Sequence, residues 1–234
     1  PSELCESSML CPTFSGILEG VEAGDWFVQD EASALCAKWV GAKAGETVVD
    51  TCAAPGGKSF AAAIAMGGKG QITSCDVHAH KTALIQNGAE RLGLTGITAK
   101  QRDATVFVPE WENAMDVVIA DVPCSGYGII RKKPDIRYKN IEDMAQLPAL
   151  QLAILKNQSR YVKAGGLLMY STCTLVREEN EGVVEKFLKQ NPEFYLEKLE
   201  LPHVFPKNET GMLTLVPGEF DTDGFFICRL RRKA

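Results

Sequence analysis

From Thr47 onward, short β-branched runs alternate with longer segments that have helical periodicity. This alternation is typical of a parallel sheet covered by helices on both faces, because parallel strands need a crossover connection between them. The pattern predicts strands at Thr47–Asp50, Gln71–Asp76, Thr98–Gln101, Asp116–Ala120 and Leu167–Ser171. It predicts helices at Glu31–Val40, Lys58–Met66, His80–Leu92, Leu147–Val162 and Glu178–Gln190. An α/β fold is therefore expected.

Two further apolar runs follow the last predicted helix, at Met212–Val216 and Phe225–Leu230. The loop between them contains Pro-Gly and Asp-Gly pairs and is too short for a helix, so the runs are expected to pair as antiparallel strands. Gly165-Gly166 is expected to separate the fourth helix from the fifth strand. The prediction is a mostly parallel seven-stranded sheet with a C-terminal antiparallel pair and helices on both faces.

Composition favours one large domain, because 45% of the 234 residues are hydrophobic and 24% are charged. Residues 1–25 lack clear periodicity and do not begin with methionine, so we expect an irregular tail of an upstream region, followed by one domain over 26–234. No apolar run approaches the roughly 20 residues that span a bilayer, and the N-terminus lacks a secretion-signal pattern. A cytoplasmic protein without membrane contacts is expected.

Eight cysteines are scattered along the chain, and no two have the spacing of a zinc site or a C-x-x-C motif. This distribution argues against a disulfide framework and against a bound metal. Most of these thiols are expected to be small buried apolar side chains. Cys124 and Cys173 differ because each lies just past the end of a predicted strand. The carboxyl ends of parallel strands meet at one edge of a sheet, so these two thiols are expected to share one mouth.

The first predicted strand runs into a loop of small residues that leads into a helix. Small residues let a ligand approach the backbone, and the start of the helix offers unpaired N–H groups to the ligand's polar end. The loop lacks the G-x-G-x-x-G fingerprint, which argues against a dinucleotide-dependent oxidoreductase. The residues expected to bind a cofactor here are Cys52, Ala53, Ala54, Pro55, Gly56, Gly57 and Lys58.

Three aspartates lie at or just after the ends of neighbouring predicted strands: Asp76, Asp103 and Asp121. Ligands of open parallel sheets bind outside the carboxyl ends of the strands, so these acids are expected to line one crevice with the small-residue loop. An acid after the second strand can accept hydrogen bonds from ribose hydroxyls. All three are therefore expected to contribute to the cofactor site.

Seven segments resemble, in order, the motifs of a known enzyme family: VQDEAS, DTCAAPGGK, ADVPCSGYG, RKKPDIRY, YSTCTL, REENEGVVEKFL and TDGFF. They are similar to the Sun/Nop-type RNA cytosine-5 methyltransferases, and most of all to the bacterial Fmu/RsmB-like members that modify small-subunit ribosomal RNA. The resemblance spans Trp26 to Leu230, with one small departure at Ser59, where threonine is common. It implies a Rossmann-like class I fold, S-adenosyl-L-methionine (SAM) as cofactor, and a catalytic domain over 26–234.

The resemblance also implies a chemistry in which a thiolate adds to carbon 6 of cytosine, which makes carbon 5 nucleophilic toward a methyl group. It assigns attack to Cys173, product release to Cys124, and support of N3 protonation to Asp121. The residues alone leave the order of the cysteines open, because DNA cytosine-5 methyltransferases attack with the cysteine of the Pro-Cys motif. Lys58 is expected either to contact the thiolate or to cap its own loop.

RNA is the partner that the resemblance implies, bound by a monomer. The net charge of −5 argues weakly against a polyanion, yet a basic run borders the expected mouth. We expect phosphate contacts from Arg131, Lys132, Lys133 and Arg137, and Tyr127 is a candidate for stacking on a base. Two alternatives stay open: transfer RNA as the target, and a non-catalytic RNA-binding assembly factor that retains the fold.

Overall fold

The computed structural model describes residues 2–5, 8–11, 16–203, 205 and 210–234. Its strands are β1 Thr47–Asp50, β2 Gln71–Asp76, β3 Ile97–Gln101, β4 Met115–Asp121, β5 Val162–Thr172, β6 Phe194–Leu196, β7 Met212–Leu215 and β8 Phe225–Arg232. Its α-helices are α1 Ile17–Ala23, α2 Glu31–Val40, α3 Gly57–Ala65, α4 Ala79–Arg91, α5 Ile141–Ala145, α6 Leu147–Ser159 and α7 Glu181–Gln190. In the described part of the chain, no helix has the length and apolar character needed to span a membrane.

The strands lie in the order β3-β2-β1-β4-β5-β8, and both β6 and β7 pair with β8. The pairs among β1 to β5 are parallel, whereas β8 pairs antiparallel with β5, β6 and β7. The chain runs outward from β1 to β3 and then returns to β4 on the other side of β1. Ligands of open sheets bind at such a reversal point. The predicted mostly parallel sheet with an antiparallel end is confirmed.

Each face of the sheet is covered by helices, as predicted. Along β4, Val117 and Ile119 enter a core with residues of α2, α3 and α4, whereas Val118 and Ala120 enter a second core with residues of α6 and α7. Successive side chains of a strand point to opposite faces, so β4 is buried on both sides. This double burial explains why its sequence is continuously apolar instead of alternating.

The sheet has eight strands among the described residues, one more than the seven predicted. The additional strand β6 has three residues, too few for a periodic signal, and pairs with the C-terminal end of β8. The expected irregularity of residues 1–25 is wrong over α1, which is flanked by Gly16 and Gly24 in the left-handed conformation. A helix of seven residues is likewise too short to stand out in the sequence.

Three predicted boundaries are wrong by three residues or more. The helix predicted to reach Val162 ends at Ser159, and β5 begins at Val162. Gly165-Gly166 therefore lies within β5, where Gly165 has φ of 75° and the register against β4 shifts. Helix α7 begins three residues later than predicted, because Asn180 has a non-helical backbone and its side chain bonds to the loop after β5.

Candidate active site

A cavity of about 280 Å³ opens where β1, β4 and β5 end. Three groups of side chains and backbone line it: the loop after β1, the ends of these strands, and a wall from the start of α2 and the start of β8. The lining includes Asp50, Ala53, Ala54, Pro55, Gly57, Lys58, Asp121, Cys173, Gln29, Asp30, Ser33, Asp223 and Phe225. The cavity therefore lies at the reversal point of the sheet, where the sequence predicted a ligand.

The loop after β1 depends on its glycines for its path. Gly56 has φ of 115°, a left-handed conformation that favours glycine, and a Cβ there would lie 2.4 Å from the Phe60 ring. A Cβ on Gly57 would lie 2.9 Å from Gln29 Nε2. Of the seven residues predicted to bind a cofactor, Cys52 and Gly56 do not line the cavity. The other five do, namely Ala53, Ala54, Pro55, Gly57 and Lys58.

The two predicted cysteines lie next to each other. Cys124 Sγ and Cys173 Sγ are 3.3 Å apart, although 49 residues separate them in the chain. A hydrogen bond from the Cys124 thiol lowers the pKa of Cys173, against the opposing effect of burial. The same hydrogen bond, together with burial, raises the pKa of Cys124. The pair is thus asymmetric, with Cys173 the thiol that ionises more readily, and Cys173 lines the cavity.

An ion pair between buried Lys58 and partly exposed Asp121 lies beside Cys173. Lys58 Nζ is 2.7 Å from Asp121 Oδ2, and Ser171 donates a hydrogen bond to the other Asp121 oxygen. Burial alone would lower the pKa of Lys58, but the neighbouring carboxylates outweigh it and raise that pKa above its usual value. Lys58 also donates to Ser33 of α2, so its ammonium bridges the loop, the helix and the strand end.

Asp50 is a cavity residue that the sequence reasoning did not select. Its carboxyl is fully buried, and desolvation raises its pKa to about 7 even though Ser59 donates to one oxygen. The other oxygen, Oδ1, has no hydrogen-bond partner among the residues that the structure describes. An unpaired buried carboxyl oxygen in a cavity wall is a ready acceptor for a polar or cationic ligand group.

The predicted acids are not all brought together. Asp121 lines the cavity, whereas Asp76 and Asp103 lie outside it. Asp76 is buried at the end of β2, where its side chain accepts from the backbone N–H of His78. Asp103 is exposed two residues past β3, and one of its oxygens accepts from both the backbone and the hydroxyl of Thr105. Val77, beside Asp76, leaves half of its apolar side chain exposed.

The basic run divides into two parts. Lys132 Nζ lies 2.7 Å from Asp30 and 2.8 Å from Asp223. Its charge is therefore paired with two carboxylates of the cavity wall. Arg131 forms an exposed ion pair with Asp221. Lys133 is exposed, and Arg137 stacks over the ring of Tyr138 at 5.7 Å.

Several wall residues were missed although their segments were recognised. Gln29, Asp30 and Ser33 belong to VQDEAS, and Asp223 and Phe225 belong to TDGFF. Their motif membership was the available signal, but no sequence rule links residues about 190 positions apart. Tyr138 was also missed: 80% of it is exposed, whereas Tyr127, the predicted stacking residue, is half-buried.

In the described residues, no group of three or more histidine, cysteine or acidic side chains is arranged to hold a metal ion.

The sequence matches the family model of the 16S rRNA methyltransferase RsmB/F over residues 37–231. A Bacillus subtilis protein described as a probable ribosomal RNA small subunit methyltransferase B is 45% identical over 230 residues, which are 93% of this chain and 52% of that protein. The chain spans about half the length of the curated relatives it matches.

Two solved structures share the fold. The crystal structure of PH0851 has a TM-score of 0.87 at 34% identity and covers 95% of this chain and 50% of its own. The structure of NSun6 from Pyrococcus horikoshii with SFG has a TM-score of 0.81 at 26% identity and covers 96% of this chain and 57% of its own. The Rossmann-like methyltransferase fold predicted from the sequence is confirmed. Because the family match spans most of the residues, the chain belongs to the RsmB/F family of 16S rRNA methyltransferases.

Proposed function

We propose that this chain transfers a methyl group from SAM to carbon 5 of a cytosine in RNA, with small-subunit (16S) ribosomal RNA as the target. The observation that carries the proposal is the pair of thiols 3.3 Å apart at the ends of β4 and β5, beside the cavity. One of them has a lowered pKa, as a nucleophile requires, and the other has a raised pKa. The names of the relatives support the choice of ribosomal RNA.

The residues present fit SAM. NSun6 from Pyrococcus horikoshii was solved with SFG, a SAM analogue, which supports this cofactor for the shared fold. Ala53, Ala54 and Gly57 offer a surface with little side-chain bulk. Asp50 Oδ1 offers an acceptor for the ammonium group of the methionine part of SAM. We infer that Asp76, at the end of β2, accepts hydrogen bonds from the ribose hydroxyls and that Asp103, past the end of β3, contributes from a more exposed position. When bound, SAM supplies an electrophilic methyl group.

The protein's own contribution is a pair of thiols with different tasks. Cys173 Sγ, the more acidic thiol, forms a bond to carbon 6 of the cytosine, and the electron pair of the 5,6 double bond becomes available at carbon 5. After carbon 5 has gained the methyl group, a base takes its proton, the electrons of that C–H bond reform the 5,6 double bond, and the bond from carbon 6 to Cys173 Sγ breaks with departure of the thiolate. Cys124, in contact with Cys173 Sγ, assists that release.

Lys58 and Asp121 have separate roles in attack on carbon 6. The nearby Asp121 carboxylate raises the pKa of Cys173, and the ammonium of Lys58 opposes that effect, since an opposite charge stabilises a thiolate. The Asp121 carboxylate lies in the cavity wall and accepts a hydrogen bond from N3 once that nitrogen is protonated in the adduct. Lys58 thereby contributes to the chemistry as well as to the shape of its loop.

The RNA surface that we propose is narrower than the basic run of the sequence. Lys132 is neutralised by two carboxylates, so the phosphate contacts fall to Lys133 and Arg137, with Arg131 at the edge. Tyr138, exposed beside Arg137, replaces Tyr127 as the residue that stacks on a base. We further infer that the protein acts as a monomer in the cytoplasm.

The direct test is incubation of the chain with SAM and RNA, followed by mass-spectrometric mapping of 5-methylcytosine. Separate reactions contain small-subunit ribosomal RNA, transfer RNA, and ribosomal RNA with a protein lacking Cys173. The proposal expects the modification in the first reaction and its absence in the third. Modification confined to transfer RNA would favour the alternative substrate. Binding of RNA and SAM without any methyl transfer would favour a non-catalytic assembly factor.

A further inference from the structure

Behind the two cysteines lies a buried cluster of polar side chains for which the proposed chemistry has no role. Its centre is Glu179 and Asn180, two consecutive residues that precede α7, both at most 2% exposed. They belong to the REENEGVVEKFL segment. The resemblance to the family implies no role for the residues of this segment. Buried polar groups of this kind are retained only when hydrogen bonds satisfy them, so their partners identify what they hold.

The Glu179 side chain holds the loop that carries Cys124. Glu179 Oε2 accepts from the backbone N–H of Ser125 at 2.9 Å and from Gln151 Nε2 at 2.8 Å. Gln151, fully buried on α6, donates in turn to the carbonyl of Pro123 at 3.0 Å. The residues immediately before and after Cys124 are therefore both fixed by this acid and its amide partner.

The Asn180 side chain holds the loop that carries Cys173 in the same manner. Asn180 Oδ1 accepts from the hydroxyl of Thr172 at 2.6 Å, and Asn180 Nδ2 donates to the carbonyl of Thr174 at 3.0 Å. One amide thus contacts both neighbours of Cys173. The phenol of Tyr170 on β5 donates to the Glu179 carbonyl at 2.6 Å, which ties the backbone of the pair to the sheet.

The two loops are also joined directly. The hydroxyls of Ser125 and Thr174, each fully buried, are 2.7 Å apart. Every residue adjacent to either cysteine therefore bonds to the Glu179-Asn180 pair, directly or through Gln151. These bonds join the two loops beyond Asp121 and Ser171, the last paired residues of β4 and β5.

We propose that Glu179 and Asn180 are positioning residues that set the separation of Cys124 and Cys173. Glu179 acts through the loop after β4, which carries Cys124, and Asn180 acts through the loop after β5, which carries Cys173. The inference rests on the proposed function, in which the two thiols act in sequence on one cytosine. A thiol that moves by about 1 Å loses its hydrogen bond to the other and its aim at carbon 6. Each cysteine is thus held by its own buried polar residue, Cys124 by Glu179 and Cys173 by Asn180.

The two supports predict different failures. Asn180→Ala frees the loop of Cys173, so methylation falls about 10- to 100-fold without accumulation of a protein–RNA adduct. Glu179→Ala frees the loop of Cys124, so release slows and an adduct accumulates. Glu179→Gln, which keeps an acceptor for the Ser125 N–H, restores most of the turnover. In all three variants, the KM for SAM stays near that of the parent, since the cofactor loop makes none of these bonds.

The experiment measures the pH dependence of Cys173 alkylation by iodoacetamide, read by peptide mass spectrometry, next to turnover and adduct formation. Glu179→Ala and Asn180→Ala should each move the alkylation midpoint of Cys173 to higher pH, because the hydrogen bond from Cys124 is lost. The matched control is Glu178→Ala, the exposed acid next to Glu179, which should leave the midpoint and turnover unchanged. Thr172→Val, which removes one bond to Asn180, provides a milder change should either alanine variant unfold.

Folded variants whose Cys173 midpoint and turnover match the parent protein would overturn the positioning role. Equal losses with Glu178→Ala would do the same. Alkylation needs neither RNA nor SAM, so it separates this inference from the proposed function. A parent protein that methylates no cytosine refutes the proposed function, and its alkylation midpoints still decide the positioning role.

Discussion

The loop after β1 and the loops after β4 and β5 border the same cavity but are held by different means. The first takes its path from glycines and small residues: Gly56 has a left-handed backbone, and a Cβ on Gly57 would press on the Gln29 side chain. The other two are braced by buried side chains from α6 and from the residues before α7, through bonds to Glu179, Asn180 and Gln151. One wall is thus made of backbone and the other is supported by side chains.

Under the proposed function, the difference follows from what each wall must do. A cofactor-binding loop needs close approach of its backbone, which small residues provide within one short segment. Two thiols that act on one base need a fixed separation, and only long-range bonds can fix residues on two separate loops. Lys58 links the walls, because it starts in the small-residue loop and ends at Asp121 beside Cys173.

Substitution of Lys58, which links the two walls, is expected to have the largest effect on methylation. Lys58→Met removes the cation beside Asp121 and Cys173, so methylation should fall about 100-fold, as when one electrostatic partner is removed from a catalytic site. The affinity for S-adenosylhomocysteine, measured by calorimetry, should change less than about threefold. A larger loss of affinity than of methylation rate would assign Lys58 to the cofactor wall alone.

The cofactor wall should fail in the opposite way. Asp76→Ala should weaken binding of S-adenosylhomocysteine by roughly 1.5–3 kcal/mol, about 10- to 100-fold, because a charged hydrogen bond to the ribose is lost. At saturating SAM the methylation rate should be nearly that of the parent. Calorimetry on Asp76→Ala and on Asp135→Ala, an exposed acid of the basic run, gives the comparison. Unchanged affinity in a folded Asp76→Ala protein would remove Asp76 from the site.

Asp50 lies where the two walls meet and should make stability depend on pH. Its pKa is raised from 3.8 to about 7, so the folded protein binds a proton there that the unfolded chain releases. The stability contributed by this proton is complete below pH 4 and is lost as pH rises toward 7. Asp50→Asn, which cannot titrate, should therefore gain about 3 kcal/mol relative to the parent between pH 4 and pH 7. Urea unfolding at both pH values measures this, and equal changes in the two proteins would contradict the raised pKa.

The smallest effect is expected outside both walls, on the proposed RNA surface. Lys133→Ala should weaken RNA binding a few-fold and reduce the slope of log affinity against log salt by about 1, because one phosphate contact is lost. Lys189→Ala on α7 is the matched control and should leave the slope unchanged. Equal slopes for Lys133→Ala and the parent would place the phosphate contacts elsewhere.

Local sequence predicted the elements whose determinants are local. Strands β1 and β2 and helix α2 have the predicted bounds, because periodicity and flanking glycines are sufficient signals there. Strand β6, helix α1 and helix α5 were not predicted, since elements of three to seven residues are too short for a period to appear. The start of α7 was predicted too early. Asn180 has a non-helical backbone, and its side chain accepts a hydrogen bond from distant Thr172.

The site shows the same division. The meeting of Cys124 and Cys173 followed from strand ends, and the small-residue loop followed from its composition. The bridge of Lys132 to Asp30 and Asp223 was not predictable, because a lysine in a basic run has no local sign of two distant carboxylates. Periodicity likewise gives no sign that Glu179 is buried while its neighbour Glu178 is exposed. Long-range contacts decide such positions.

In the proposed mechanism, Cys173 makes the bond to cytosine and Cys124 is needed to undo it. The decisive measurement is a denaturing gel of each cysteine variant after incubation with SAM and target RNA, with Cys11→Ala, an exposed thiol, as control. We predict a slowly migrating protein–RNA adduct that accumulates with Cys124→Ala, and neither adduct nor methylation with Cys173→Ala. An adduct with Cys173→Ala but not with Cys124→Ala would show that the roles are reversed, and no adduct with either would show that the chemistry is not covalent.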